Sequence, residues 1–166
     1  MFTDKAEALP RKKRALKGRR LVVVEIESIA EGAVRTAALA SWAKQQIAGA
    51  IALKQGEQVI VGATHRSVLA VGMVWPEPRI VIGPRAEDVR NELLRVLQDE
   101  RIAERFDELV LVSGNGVYAE AVASLAASGV EVTAVAWPEN LSKRLRMAAA
   151  HSVLLERGME ILGGVG

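Results

Sequence analysis

The sequence predicts an α/β protein, a three-layer sandwich in which helices cover both faces of a mostly parallel central sheet. One sign is the succession of strand, tight turn, amphipathic helix and strand over residues 108–136. A second is another uninterrupted apolar run, Leu21-Val22-Val23-Val24, which is typical of a strand buried on both faces. A third is an Ala- and Val-rich composition with 4% aromatic residues, which suits helices packed closely on a parallel sheet.

Length and composition narrow the possibilities. A chain of 166 residues with 50% hydrophobic content is expected to form one domain with an ordinary core. The absence of cysteine excludes disulfides, thiolate metal sites and cysteine nucleophiles. No segment resembles a signal peptide, and Lys44, Gln45 and Gln46 interrupt the longest apolar run. We therefore expect a cytoplasmic protein with no membrane partner.

The charge is distributed unevenly along the chain. Residues 1–20 carry eight basic and two acidic side chains, a net charge of +6, so the remaining residues carry −4. We predict a basic, flexible arm over residues 1–19, a folded domain over 20–156 and a tail over 157–166. The arm is interpreted as a nucleic-acid contact or, alternatively, as a solvated tail. Its candidate contact residues are Arg11, Lys12, Lys13, Arg14, Lys17, Arg19 and Arg20.

The segment over residues 108–136 predicts one βαβ unit. A strand over 109–112 ends in the turn Ser113-Gly114-Asn115-Gly116, a helix follows from Val117, and the next strand begins at Val130. A right-handed crossover makes the two strands parallel and puts the turn at the carboxyl edge of the sheet. Ligands of open parallel sheets bind at that edge, so any chemistry is expected around Asn115.

The first strand runs directly into an acidic residue, Glu25. A carboxylate at the end of a buried strand is costly to desolvate unless it faces water, a cation or a hydrogen-bond donor. Glu25 is therefore a candidate site residue. The alternative is that it only marks the point at which the strand reaches the surface.

The helix predicted over residues 32–54 has a wide stripe of small apolar residues. Such a stripe could pack on the sheet and also against a second subunit, which would make a homodimer.

Residues 68–74 could form either a strand or one helical turn. The remaining predicted elements are strands over 59–61, 79–83 and 152–155 and helices over 86–106 and 141–150.

Two carboxylates stand four residues apart in the helix predicted over residues 86–106. This spacing puts Asp88 and Glu92 on one face, from which they could point toward the carboxyl edge of the sheet. The alternative is that these acids complement the helix dipole and pair with neighbouring arginines, of which Arg85, Arg90 and Arg95 are available.

These motifs together resemble the NYN domain, a branch of the PIN-like nucleases. The segment Glu25-Ile26-Glu27-Ser28-Ile29 stands where that family has Asp-Gly-x-Asn-Ile, and residues 83–94 match its Gly-x-Asp-x-x-Leu-like segment through Asp88. The turn over 113–118 is similar to the family's Ser-Gly-Asp-x-Asp-Phe, with Gly129-Val130-Glu131-Val132 behind it as the Gly-x-x-Val strand. The resemblance covers about residues 20–156.

The resemblance implies a cluster of acids that binds Mg²⁺ or Mn²⁺ and hydrolyses RNA phosphodiesters. It places Glu25, Asp88 and Asn115 as metal ligands and catalytic residues, with Ser28 and the basic arm as RNA contacts. The acidic cluster is degenerate. Glutamate replaces aspartate at position 25, Asn115 and Val117 replace the two acids of the turn, and Ser28 replaces an asparagine, with Glu27 and Glu92 as reserve carboxylates.

Three functional hypotheses follow from this pattern. The first is a weak or atypical metal-dependent ribonuclease. The second is a catalytically inactive module of the same fold that binds nucleic acid or assembles with protein. The third is a doubly wound protein that binds a small nucleotide at the Asn115 turn, although Gly114-Asn115-Gly116 lacks the third glycine of a dinucleotide-binding motif.

Overall fold

A computed structural model of the protein describes residues 18–157. Six strands form one sheet in which every neighbouring pair is parallel. They are β1 (Arg20–Glu25), β2 (Gln58–Thr64), β3 (Arg79–Gly83), β4 (Glu108–Val112), β5 (Glu131–Ala136) and β6 (His151–Leu154). Their order across the sheet is β3-β2-β1-β4-β5-β6.

Helices cover both faces of this sheet, so the predicted three-layer α/β architecture is confirmed. One face carries α1 (Ile26–Ala30), α2 (Ala37–Ile51) and α3 (Val68–Val74). The other face carries α4 (Ala86–Asp99), α5 (Ile102–Arg105), α6 (Ala119–Ala127) and α7 (Lys143–Ala148). Short 3₁₀ turns over Gly116–Tyr118 and Pro138–Asn140 follow β4 and β5.

The central strand β1 is apolar on both faces because it contacts a helical layer on each side. Leu21 and Val23 pack into the core under α4 and α6, whereas Val22 and Val24 pack into the core under α2. Alternate residues of a strand point to opposite faces, so a strand buried on both faces needs a continuous apolar run. The run ends at Glu25, which lies opposite Gly62 of β2.

The helix predicted over residues 32–54 is shorter in the structure and is preceded by a separate helix. The first helix, α1, begins immediately after Glu25 and ends at Ala30, because the next residue, Glu31, has a left-handed backbone with a φ of 59°. Thr36 then starts α2, and its hydroxyl oxygen accepts a hydrogen bond from the Leu39 N–H at 3.1 Å. Residues 68–74, for which the sequence leaves strand and helix open, form α3.

The single helix predicted over residues 86–106 is wrong. The helix α4 ends at Asp99, and Arg101 has a left-handed backbone with a φ of 54° before the short helix α5 begins. The polar run Gln98-Asp99-Glu100-Arg101 interrupts the apolar stripe there. These four residues have no apolar side chain to pack on the sheet, so the helix ends there. Ile102 is the next residue whose side chain lies in the core.

Both ends of the chain fall outside the described residues. The predicted arm residues Arg11, Lys12, Lys13, Arg14 and Lys17 precede Gly18, and most of the predicted tail follows Arg157. Between these limits, none of the helices is long and apolar enough to cross a bilayer.

Gly62 lets α4 approach the sheet beside Glu25. A Cβ atom at this position would lie 2.7 Å from Val89 Cγ1 and 2.8 Å from Leu93 Cδ1. We predict that Gly62→Ala lowers the free energy of unfolding by about 1–3 kcal/mol, because the added methyl overpacks the core. Urea unfolding followed by circular dichroism measures the change.

Gly49→Ala is the matched control, since no atom lies within 4 Å of a Cβ added at that helical position. Alanine should stabilise the interior of α2 by roughly 0.5–1 kcal/mol. If both variants lost the same stability, the close approach at Gly62 would not be the cause.

Candidate functional site

The crossovers of the sheet change direction between β1 and β4, which lie side by side at its centre. In open parallel sheets such a switch point leaves a crevice at the carboxyl ends of the strands. A cleft of about 460 Å³ lies there. Its lining comes from β1, α1, α4 and the turns after β4 and β5, and it comprises Glu25, Glu27, Ser28, Glu31, Gly32, Ala86, Arg90, Ser113, Gly114, Asn115 and Asn140.

Glu25 lies at the floor of this cleft and is only 6% exposed. One carboxylate oxygen, Oε1, accepts hydrogen bonds from the Ser113 hydroxyl at 3.0 Å and the Tyr118 hydroxyl at 2.9 Å. The other oxygen, Oε2, forms an ion pair with the Arg90 guanidinium at 3.3 Å. A buried carboxylate is tolerated when it is both paired and hydrogen-bonded, and Glu25 meets both conditions.

Tyr118 is held in its neutral form by the same contacts. Burial raises the pKa of its hydroxyl far above the ordinary value, and the charge of Glu25 and the hydrogen bond to it raise that pKa further. The hydroxyl therefore keeps its proton and stays a donor to Glu25.

Asp88 lies in the first turn of α4, but its side chain does not line the cleft. Its Oδ2 accepts from the backbone N–H and the Nε of Arg85, both at 3.1 Å, so this carboxylate caps the start of the helix. The hydrogen bond from Arg85 lowers the pKa of Asp88. The neighbouring acid, Glu92, pairs with Arg95 at 2.8 Å. Both acids therefore pair with neighbouring arginines, as the alternative interpretation of the sequence expects.

Helix periodicity explains which α4 side chains reach the cleft. Ala86 and Arg90 are four residues apart, share one face and line the cleft, whereas Asp88 lies between them on another face. The cleft therefore receives a cation from α4, and the carboxylate of Asp88 remains at the helix end.

The other two predicted site residues on the cleft wall have local hydrogen-bond partners. Asn115 Oδ1 accepts from the Val117 N–H at 2.9 Å and starts the 3₁₀ turn after β4. The Ser28 hydroxyl donates to the carbonyl oxygen of Glu25 at 2.7 Å. Glu25, Ser28 and Asn115 are brought together around one cleft, and Asp88 is outside it.

Glu27, the reserve carboxylate, also lines the cleft. Its Oε2 accepts hydrogen bonds from the hydroxyls of Thr64 and Ser67 and from the backbone N–H of Thr64. The Ser67 hydroxyl in turn accepts from the Val34 N–H at 2.7 Å. These contacts tie α1 to the turn after β2 and fix one wall of the cleft.

The outer rim of the cleft is closed by a network around Arg157. This guanidinium pairs with Glu31 at 2.8 Å and with Glu139 at 2.6 Å, and it lies 3.8 Å from the centroid of the Trp137 ring. The Arg157 hydrogen bond, and a second from Asn140, lower the pKa of Glu31. The first residue of the predicted tail is therefore part of the rim.

The described residues do not fit the divalent-ion site that the resemblance implies. Both oxygens of Glu25 have protein partners, Asp88 is bonded to Arg85, and Oδ1 of Asn115 caps a turn. No group of three Asp, Glu, His or Cys side chains between residues 18 and 157 is arranged to hold a metal ion. A divalent ion ligated by Oε2 of Glu25 would compete with Arg90 for that oxygen.

Two residues of the predicted basic arm are described, and both lie at the edge of the sheet opposite the cleft. Arg20 begins β1, and its guanidinium donates two hydrogen bonds to the Glu57 carboxylate, from Nε to Oε1 at 2.8 Å and from Nη2 to Oε2 at 2.7 Å. The Arg19 guanidinium lies 5.0 Å from the centroid of the Phe106 ring. Glu25 is five residues further along β1, or roughly 17 Å at the usual strand rise.

Sequence reasoning missed the cations and donors that complete the site. Arg90 was available only as one of three arginine partners for acids on α4, and Tyr118 only as part of the turn motif. The helical spacing of Ala86 and Arg90 could have placed Arg90 on the cleft face. No sequence signal pointed to Arg157, because its contacts with Glu31 and Glu139 depend on how the end of the chain returns to α1.

The fold and the cleft define a doubly wound α/β protein with a polar cleft at its switch point. No family model matches the sequence, and no curated protein is significantly similar to it. The chain is similar in structure to a protein of unknown function from Vibrio parahaemolyticus, with a TM-score of 0.57 and 17% sequence identity. The match covers 85% of this chain and 94% of that one, and at this identity it shows the fold alone.

We predict that Glu25 and Arg90 are energetically coupled. Arg90→Met should lower the free energy of unfolding by about 1–3 kcal/mol, less than for a fully buried pair because the arginine side chain is 26% exposed. The double variant Glu25→Gln/Arg90→Met should cost less than the sum of the single changes, by about 1 kcal/mol or more. Urea unfolding of the four proteins measures the coupling.

The exposed pair of Glu92 and Arg95 on the same helix provides the control cycle. Its coupling energy should be no more than roughly 0.5 kcal/mol, as for other surface pairs of neighbouring helical turns. Equal coupling in both cycles would mean that Arg90 does not neutralise a buried charge.

Proposed function

We propose that this chain is a PIN-like module of the NYN type that binds RNA across the switch-point cleft without cleaving it. The observation that carries the proposal is the pairing of Glu25 with Arg90. In the related nucleases, as the resemblance implies, the acid at the end of the first strand holds a metal ion. In this chain the Arg90 guanidinium lies beside that carboxylate, where a metal ion would bind.

Exposed cations on both sides of the cleft support a polyanionic ligand. Arg35 and Arg66 flank the contact between Val34 and Ser67 on the α1 and β2 side. Lys143 and Arg144 begin α7 on the other side, next to Ser142, whose N–H donates to the Gly114 carbonyl at 2.8 Å. All four are exposed and have no hydrogen-bond or ion-pair partner within residues 18–157.

The arrangement of these cations suits a strand of phosphates that crosses the cleft. Phosphate contacts by lysine and arginine provide most of the affinity of non-specific nucleic-acid binding. The cleft itself offers the partly exposed Arg90 guanidinium, which favours anions. Residues 1–17, which precede β1 in the sequence, carry a net charge of +4.

The test is binding of a labelled single-stranded RNA, followed by fluorescence anisotropy over a series of salt concentrations. We predict that Lys143→Ser/Arg144→Ser weakens binding several-fold at low salt, and lowers the slope of log affinity against log salt by about 1–2, because two phosphate contacts are lost. Removal of residues 1–17 should lower the slope as well.

The control variant Lys54→Ser/Arg101→Ser removes the same charge at the opposite edge of the sheet, after the C-terminal ends of α2 and α4. It should bind RNA like the wild type. Equal losses in the two double variants would mean that only net charge attracts RNA, and the proposed path across the cleft would be rejected.

The ribonuclease hypothesis is tested on the same RNA in the presence of Mn²⁺. The proposal predicts intact RNA with the wild type. Cleavage by the wild type that disappears in Glu25→Gln and Asp88→Asn would establish the metal-dependent nuclease instead. Thermal stabilisation by a free nucleotide, with no binding of RNA, would favour the small-nucleotide hypothesis.

A further inference from the structure

The sheet has an edge strand, β3, beside an exposed apolar stripe. Six large hydrophobic side chains between residues 18 and 157 are exposed, and three of them belong to α3 and β3: Leu69 (75%), Met73 (69%) and Ile82 (45%). We propose that two copies of this chain associate through their β3 edges and form one continuous sheet. This inference is independent of the proposed RNA binding.

The stripe on α3 has no covering partner among the described residues. Leu69 and Met73 are four residues apart and share one helix face, while Ala70 and Val71 of the same helix pack into the core. Because α3 packs against α2 and over β2, and Ala70 and Val71 face the core, the Leu69 and Met73 face is turned away from the core on the outside of this helical layer.

The backbone of β3 has hydrogen-bonding groups that point away from the sheet. The Gly83 carbonyl accepts from the His65 N–H at 3.1 Å, so Gly83 faces β2. Residues of a strand alternate in direction, and Val81 and Arg79 therefore also face β2. The N–H and C=O groups of Ile80 and Ile82 face outward, where the described part of the chain contains no further strand.

These outward groups match those of a second copy in antiparallel register. When the two-fold axis passes between the Val81 residues, Ile80 of one copy lies opposite Ile82 of the partner subunit. Each such pair exchanges both of its N–H to C=O hydrogen bonds. A closed two-fold contact of this kind satisfies the open edge of both copies at once.

The side chains also match. Ile80 packs in the core on the α3 side of the sheet, and Ile82, two residues on, faces the same side. A two-fold axis perpendicular to the sheet keeps that face common to both copies, so the two α3 helices and the two Ile82 side chains lie on the same side of the joined sheet. The pairing buries apolar surface that is exposed in one chain alone.

Charges beyond the ends of β3 favour a second copy as the occupant. In the same register, Glu77 before the strand lies opposite Arg85 of the partner subunit. The pair occurs twice by symmetry, so opposite charges meet at both ends of the contact. Both charges of each pair come from this chain, so a second copy is sufficient to supply the partner charge.

The first test measures mass in solution by sedimentation velocity over a concentration series of the full chain. We expect a dimer that dissociates on dilution, and weaker association of Leu69→Glu/Met73→Glu, because the four added carboxylates would lie on the same side of the joined sheet. Met147→Glu is the control, since Met147 is equally exposed at 75% but lies on α7. A wild type that stays monomeric throughout, or a dimer disrupted equally by both variants, overturns the proposal.

The second test fixes the register. The chain has no cysteine, so Val81→Cys introduces a single thiol on the proposed axis. Directly opposed residues of a non-hydrogen-bonded antiparallel pair have Cα atoms about 4.5 Å apart, within disulfide range. Oxidised glutathione should convert this variant to a disulfide-linked dimer, whereas Leu154→Cys, on the other edge strand, should stay monomeric on a non-reducing gel. Equal linkage of both variants, or none of Val81→Cys, overturns the register.

A charge exchange distinguishes self-association at β3 from loss of folding. Glu77→Arg and Arg85→Glu should each weaken the dimer, since each places like charges opposite one another. An equal mixture of the two variants should form the mixed dimer, in which every such pair is again of opposite sign. If the mixture associates no better than the separate variants, the proposed contact is wrong.

Discussion

The ion pair between Glu25 and Arg90 is the interaction on which the site depends. It joins the end of the central strand to α4 across the cleft, and the hydroxyls of Ser113 and Tyr118 complete it from the next strand. A buried carboxylate without these partners would be strongly unfavourable. The pair therefore determines both the shape of the cleft and its chemistry, because it uses the oxygens that a metal ion would need.

The remaining carboxylates of the cleft are engaged in the same way. Glu27 accepts three hydrogen bonds from Thr64 at the end of β2 and Ser67 in the turn that follows, and Glu31 is held by Arg157 and Asn140 at the rim. Divalent ions such as Mg²⁺ prefer a set of oxygens that are free to converge on one point. Here each acid is hydrogen-bonded to a different protein group, so the carboxylates of the cleft do not converge on one point.

The sequence was sufficient for the architecture and for only part of the site. Continuous apolar runs such as 21–24 identify strands buried on both faces, and the parallel crossovers then place Glu25 and Asn115 at one edge. The sequence does not show which face of α4 meets that edge, so its pattern favours Asp88, whereas the packing brings Arg90 to the cleft. The break at Arg101 was missed because a polar run inside an amphipathic helix also occurs on its solvent face. Side-chain pairing depends on packing distances of a few ångströms, which periodicity does not determine.

The most direct test of the account is a calorimetric titration of the full chain with Mn²⁺. If Arg90 holds the position beside Glu25, the wild type shows no saturable heat of binding at the cleft, and Glu25→Gln gives the same trace. Stoichiometric binding of Mn²⁺ to the wild type that is lost in Glu25→Gln would show that the carboxylate is available to a metal ion, and it would contradict the account.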